Sequence, residues 1–198
     1  MPITGHSGRI RPTFMHGGGT MASKADKRLD WVRIARWSFP ALLLLIPLIA
    51  RFPWSGADFV VMGVLLFGSV GLYELAARMH NSLPYRAAAA IAVVTSFLLI
   101  WVNLAVGIIG SENNPLNLVY AAVLGAVLLG AIVSRFEPAG MARALFATAA
   151  LQALAGVVGV VAASNEPPGA AGQVVLNGGF VALWLLSAAL FRKAARAA

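Results

Sequence analysis

Apolar residues in this chain neither alternate in the manner of a strand nor hold to one stripe of a helix; they run on. Six long apolar stretches occupy about 36–52, 59–77, 87–109, 116–134, 141–163 and 174–191, with short polar segments between them. A spanning α-helix needs ~20 apolar residues, with a range of ~17–25. All six stretches fall in that range, the first at its lower limit. The first also carries Pro40 and Pro47, which a membrane helix tolerates, usually with a kink, because neighbours re-satisfy the freed carbonyl. It reads as a retained span. The polar segment before it is too long for a signal peptide, and it is followed by Arg51-Phe52-Pro53-Trp54 rather than by a small-x-small cleavage site.

Residues 1–30 are polar and glycine-rich, including Gly17-Gly18-Gly19, and lack a helical period. They read as a disordered basic tail, ahead of a transmembrane helical domain over 31–198. Met21, followed by Ala22-Ser23-Lys24, offers an alternative start.

Composition agrees with this pattern. Sixty per cent of the 198 residues are hydrophobic and 11% are charged, and the mean hydropathy is +0.82. A soluble chain carries roughly 25% charged residues, so lipid is the expected solvent. The net charge of +8 would in a soluble protein point to nucleic acid. Here the bases lie between apolar runs, and no nucleic-acid partner is expected.

Their placement sets the orientation. Six spans put Arg9, Arg11, Lys24, Lys27, Arg28, Arg33, Arg36, Arg78, Arg86, Arg135, Arg143, Arg192, Lys193 and Arg196 on one side and only Arg51 on the other. Because Lys and Arg accumulate on the cytoplasmic side, the expected fold is an all-α six-helix transmembrane bundle with both termini cytoplasmic. Trp37, Trp54, Tyr85 and Tyr120 lie near span ends, where interfacial aromatics belong. A faint repeat relates the second and third spans to the fourth and fifth: Arg78 and Arg86 are eight residues apart, as are Arg135 and Arg143.

Membrane helices associate through small residues that let backbones approach. Candidate packing faces are Ala122, Ala126 and Gly130 in the fourth span, and Thr148, Gln152, Gly156 and Gly159 in the fifth. The third offers Ser96, Asn103, Gly107 and Gly110, and the second Gly63, Gly71 and Glu74.

Glu74 is the single ionisable residue well inside a span. An intramembrane carboxylate is a candidate proton or cation site, because charge in lipid is costly. Arg78, four residues on, instead offers it an ion pair at helical spacing. Gln152 and Asn103 could line a polar path or hydrogen-bond across helices. Glu112, Asn113, Asn114 and Asn117 cluster in one outer turn. With Asp58, Asn165, Glu166 and Asn177 they compose either an acidic, amide-rich cation vestibule on the outer face or ordinary turn and cap chemistry. Asn177 reads as a helix-terminus residue.

There are no cysteines, which excludes disulfides and thiolate metal sites. His6, His16 and His80 all lie outside the spans, so bis-histidine haem ligation in the bilayer is excluded. No His-Glu-x-x-His, Gly-x-Ser-x-Gly or Walker loop occurs, so no enzyme and no cofactor is expected.

The run from Trp101 to Pro115, with Asn117, Arg135-Phe136 and Met141-Ala142-Arg143-Ala144-Leu145-Phe146, resembles a recurrent segment of small uncharacterised multi-pass membrane proteins of proteobacteria. The resemblance implies a bacterial inner-membrane location and no particular chemistry. Two functional readings stand open. One is a non-enzymatic accessory that assembles with or supports another membrane complex, a reading that a homo-oligomer of this chain would weaken. The other is a small transporter or channel for protons, cations or a small solute, using Glu74, Gln152 and Asn103.

Overall fold

A computed structural model describes residues 19–197. Over that range the chain is helical, with no strand: α1 Gly19–Ile49, α2 Gly56–Met79, α3 Leu83–Ala105, a 3-10 turn Pro115–Leu118, α4 Val119–Val133, α5 Pro138–Ala162 and α6 Gly169–Arg196. Five apolar segments are long enough to cross a membrane: α2, α3, the 3-10 turn with α4, α5 and α6. This is the hallmark of a helical membrane protein. α1 is not among the five.

Several boundaries differ from the sequence reading. Helix begins at Gly19 rather than at Arg36, so residues 19–30 of the expected disordered tail have helical backbone; residues 1–18 lie outside the described range. The third helix stops at Ala105, not at Ile109. Gly107 and Gly110 have φ of +72° and +69°, a left-handed conformation that side-chain-bearing residues avoid. They therefore form a turn and not a packing face. α6 starts at Gly169, five residues before the expected Val174, and this moves Asn177 two turns into the helix.

Local chemistry sets the helix starts. Ser55 and Asp58 form a capping box at the head of α2: the Ser55 amide donates to Asp58 Oδ2 at 2.7 Å, and the Asp58 amide donates to Ser55 Oγ at 3.3 Å. Pro84 and Pro138 sit in the first turns of α3 and α5, where the missing N–H is no loss. The α4–α5 hairpin turns through Arg135 and Phe136, with φ of 50° and 62°. Tyr85 of α3 clamps it by donating to the Phe136 carbonyl at 2.9 Å.

α5 and α6 make the most extensive helix pair; α3 packs on α6, α4 on α5, α2 on α3 and α1 on α2. Trp184, Tyr85, Phe191, Leu99 and Leu145 are fully enclosed at the centre. The Tyr85 and Phe191 rings meet edge to face, with centroids 5.0 Å apart, and Ser187 donates to the Ala88 carbonyl at 2.8 Å. The outward surface is a belt of large apolar side chains, such as Ile46, Val64, Leu129, Val161 and Val175. In water that belt would drive aggregation; in a bilayer it is the lipid contact.

On α5 the Thr148, Gln152, Gly156 and Gly159 face is buried. On α4 the expected stripe is displaced. Ala122 is exposed, and Tyr120 and Val123 point inward instead, with Gly130 against Ala144. Steps of three and four residues from Tyr120 select this face. Its tyrosine finds a polar partner there.

Candidate functional site

Two separate networks of buried polar side chains stand out among the described residues. The first lies between α4, α5, α6 and the outer turn, with Asn177 at its centre. Its Oδ1 accepts from Tyr120 Oη at 3.0 Å and from Gln152 Nε2 at 2.9 Å. Its Nδ2 donates to the Gln173 carbonyl at 2.9 Å, with a longer approach to Gln173 Oε1 at 3.4 Å. Gln173 Nε2 reaches the Ile108 carbonyl at 2.7 Å, and Trp184 Nε1 approaches Gln152 Oε1 at 3.5 Å. Gln152 and Gln173 are completely buried, and Tyr120 and Asn177 nearly so.

Two glycines make room for this cluster. A Cβ at Gly156 would stand 2.8 Å from Asn177 Cβ, and one at Gly159 would stand 2.7 Å from Gln173 Oε1. Gln173 is not among the sequence-derived candidates, and Asn177 figures there only as an outer-face helix-terminus residue. Their four-residue spacing places both amides on one helical face, a signal masked by starting the helix at Val174.

The outer turn is tied to the same cluster. Asn117 Oδ1 accepts from the Ile108 and Ile109 amides at 3.1 and 2.9 Å, while its Nδ2 donates to the Ile109 and Ser111 carbonyls at 3.2 and 2.7 Å. Asn117 thus replaces the helical bonds the backbone gave up at Ala105, and it lets Ile108 and Ile109 be wholly buried. Asn114 caps Leu116 at 3.0 Å and donates to Glu166 Oε2 at 2.8 Å. The Gly110 amide donates to the Pro167 carbonyl at 2.9 Å. These contacts join the 106–118 turn to the α5–α6 turn. Glu112 and Asn113 contact each other at the surface, at 3.1 Å. Of the four outer-turn candidates, Asn114 and Asn117 bond to the backbone of the turn, whereas the side chains of Glu112 and Asn113 bond only to each other.

The second group surrounds Glu74, at the opposite ends of the helices. Its Oε1 accepts from Trp37 Nε1 at 3.1 Å and lies 3.9 Å from Arg36 Nη1; its Oε2 lies 3.4 Å from Arg78 Nη2. Arg36 also lies over the Tyr73 ring, 5.9 Å from its centroid. Trp37 stacks against Phe67 at 6.3 Å. The Glu74 side chain is 10% exposed and acts as a pin between α1 and α2.

Glu74→Gln keeps an acceptor for the indole but removes the charge facing two arginines. Arg78 is well exposed and can reach water, so the expected destabilisation is modest, about 1 kcal/mol, with α1 loosened from α2. Thermal unfolding in detergent and protease sensitivity of α1 measure this. Proton and cation flux in proteoliposomes is expected to be unchanged.

Asn103, the third sequence candidate, stands apart from both groups. Its Nδ2 donates to the Leu99 carbonyl of its own helix at 2.7 Å, and its Oδ1 is buried without a partner. Glu74, Asn103 and Gln152 share no hydrogen bond, and none of them lines either of two hollows in the described bundle.

The larger hollow is an apolar groove of about 560 Å³. α2 and α4 form its walls, through residues such as Val64, Leu72, Leu124 and Leu128. α3 contributes Ala89, Ala92 and Ser96, and α2 adds Gly68, Ser69 and Ala76. Among the described residues, no group of three or more His, Asp or Glu side chains could hold a metal. Comparison with protein-family models, curated proteins and solved structures found no match.

Proposed function

We propose that this protein is a non-enzymatic assembly component of a membrane complex, and that its α2–α4 groove receives an apolar helix of a partner protein. The observation that carries the reading is the groove, whose lining is rich in small residues. Gly68, Ser69, Ala76, Ala89, Ala92 and Ser96 are the residue types that let a second helix backbone approach closely in lipid. Along α2 the lining runs from Val64 to Ala76, ~18 Å at 1.5 Å per residue. That is long enough to engage about three turns of a partner. The buried polar residues support the same reading, since Glu74, Gln152, Gln173 and Asn177 are each held by protein partners. A transport path would need them to face a shared aqueous cavity.

The proposal takes the protein as a six-span one with both termini cytoplasmic. α1 supplies the sixth span through its apolar half, where Leu42, Ile46 and Ile49 are exposed as lipid-facing residues would be. Its Arg36 and Trp37 meet Glu74 and Arg78 at one end of the bundle, and Arg86, Arg135, Arg143 and Arg192 belong to that end by the order of the helices. The positive-inside rule makes it the cytoplasmic end. The resemblance of the Trp101–Asn117 segment to proteobacterial membrane proteins points to a bacterial inner membrane.

Gly68→Phe tests the groove. A Cβ at Gly68 would meet nothing within 4 Å, and Gly68 lines the groove, so phenylalanine there is expected to project into the groove. Gly178→Phe is the control, because Gly178 is equally uncovered and lies outside the groove. On purification in mild detergent, a stoichiometric membrane partner is expected with the native chain and the control. It should be depleted at least ~10-fold by Gly68→Phe, the loss of about 1.4 kcal/mol of binding. Retention of the partner by Gly68→Phe, or its equal loss from both variants, rules the groove out. Dissociation of a homo-oligomer by Gly68→Phe would make a second copy of this chain the occupant and overturn the accessory reading.

A further inference from the structure

A second hollow, of about 480 Å³, lies where the first two turns of α5 pass the last two turns of α6. Arg143, Arg192 and Arg196 line it together with Phe146, Ala142 and Ala195. No acidic side chain lines it, and among the described residues none of the three arginines takes part in an ion pair. Each is exposed. The positive-inside bias explains why bases lie at this end of the bundle. It does not explain why three from two different helices converge on one cleft without a counter-charge.

The polarity of the cleft is graded. Arg143 stands near the start of α5. Phe146, 40% exposed, stands about one turn further along the helix, toward the apolar middle of the bundle. The N-cap residue of α5, Glu137, makes no side-chain cap bond and does not line the cleft. Cationic donors thus surround one end of the cleft, and an aromatic side chain and methyl groups line the rest.

We infer that this cleft binds an anionic phospholipid, with its phosphate groups against Arg143, Arg192 and Arg196 and an acyl chain along Phe146. Guanidinium groups suit phosphate because their planar fork donates two parallel hydrogen bonds. Three of them without a carboxylate match a headgroup carrying two phosphates, such as cardiolipin, better than a zwitterionic one. Basic pockets between spanning helices are a recurrent means of holding such lipids. The apolar part of the cleft has no role for a free inorganic ion, so the lipid is the expected ligand. This inference is independent of the α2–α4 groove, whose lining shares no residue with this cleft.

The test uses the full chain reconstituted in phosphatidylethanolamine with a minor share of cardiolipin, then extracted in mild detergent, with bound lipid counted by native mass spectrometry. The native chain is expected to retain cardiolipin in preference to phosphatidylethanolamine. Arg143→Gln/Arg192→Gln is expected to cut cardiolipin retention about thirty-fold, from the contribution of two surface bases to anionic-lipid binding. Arg86→Gln/Arg135→Gln removes the same charge from the same end and should leave retention within about twofold. Equal losses from the two double variants would mean diffuse attraction to a basic surface and would overturn the site. So would the absence of any retained anionic lipid on the native chain, or displacement of the cardiolipin by inorganic phosphate, which would mark a free-anion site. The native-chain measurements decide the matter even if a double variant folds poorly.

Discussion

Gly156→Leu is expected to abolish the folded bundle. Gly156 packs against Asn177 where α5 meets α6, the most extensive helix pair among the described residues. A bare Cβ there would already lie 2.8 Å from Asn177 Cβ and 3.0 Å from its Cγ. Alanine makes the balance visible. It gains about 1 kcal/mol of helix propensity over glycine, but overpacking a well-packed contact costs about 1–3 kcal/mol. Because the colliding atoms belong to a side chain held by four hydrogen bonds, the upper part of that range applies, and Gly156→Ala should be destabilising by about 1–2 kcal/mol. Leucine adds three further carbons to the same collision. The two helices must then separate, and the bonds of Asn177, Gln152 and Gln173 are lost with the contact. Thermal unfolding in detergent should show a graded loss, small for alanine and complete for leucine. Native-like melting of Gly156→Leu would mean that α5 and α6 do not meet here.

Asn177→Ala is expected to cost about 2–5 kcal/mol, read as the shift of the unfolding transition in detergent or of the midpoint in a denaturing-detergent titration. Hydrogen bonds between spanning helices average only ~0.6 kcal/mol, because in the unfolded state these groups find other partners. On bond counting alone the loss would be small. The larger figure comes from the groups left behind. The Tyr120 hydroxyl and the Gln152 amide both donate to Asn177 Oδ1. Both are enclosed by protein, so neither lipid headgroups nor water can replace that acceptor in the folded state. Each stranded donor costs about 1–3 kcal/mol. A double-mutant cycle separates the two accounts. If stranding dominates, Gln152→Leu in the Asn177→Ala background removes one stranded donor, and the two changes together cost at least about 1 kcal/mol less than their sum. Strict additivity would show that the cavity, and not the amide network, carries the loss.

The helical class and the apolar segments were legible because both depend on short stretches of chain. About 20 consecutive apolar residues suffice to call for a spanning helix, and five such helices are present. The Glu74–Arg78 pair was visible from its four-residue spacing and is formed. The partners that complete it, Arg36 and Trp37, were not visible, because contacts across 37 residues of sequence leave no local trace. Errors fell where an apolar run and a helix are different things. Val106 to Ile109 are hydrophobic enough to prolong α3, yet Gly107 turns left-handed and Asn117, nine residues from Ile108, takes over the released amides.

Hydropathy alone thus made this chain a set of membrane helices and located most of them, since burial in lipid depends on how apolar a segment is and not on what lies beside it. The rotation of each helix and the identity of its neighbours were a matter for packing. Lipid tails and leucine side chains are equally apolar, so a hydropathy pattern cannot tell a lipid-facing position from an interior one. That is why the α4 stripe was placed on Ala122 when Tyr120 and Val123 face inward. It is also why Asn177, read from sequence as the end of a helix, became the centre of the network only once α5, α6 and the outer turn were folded together.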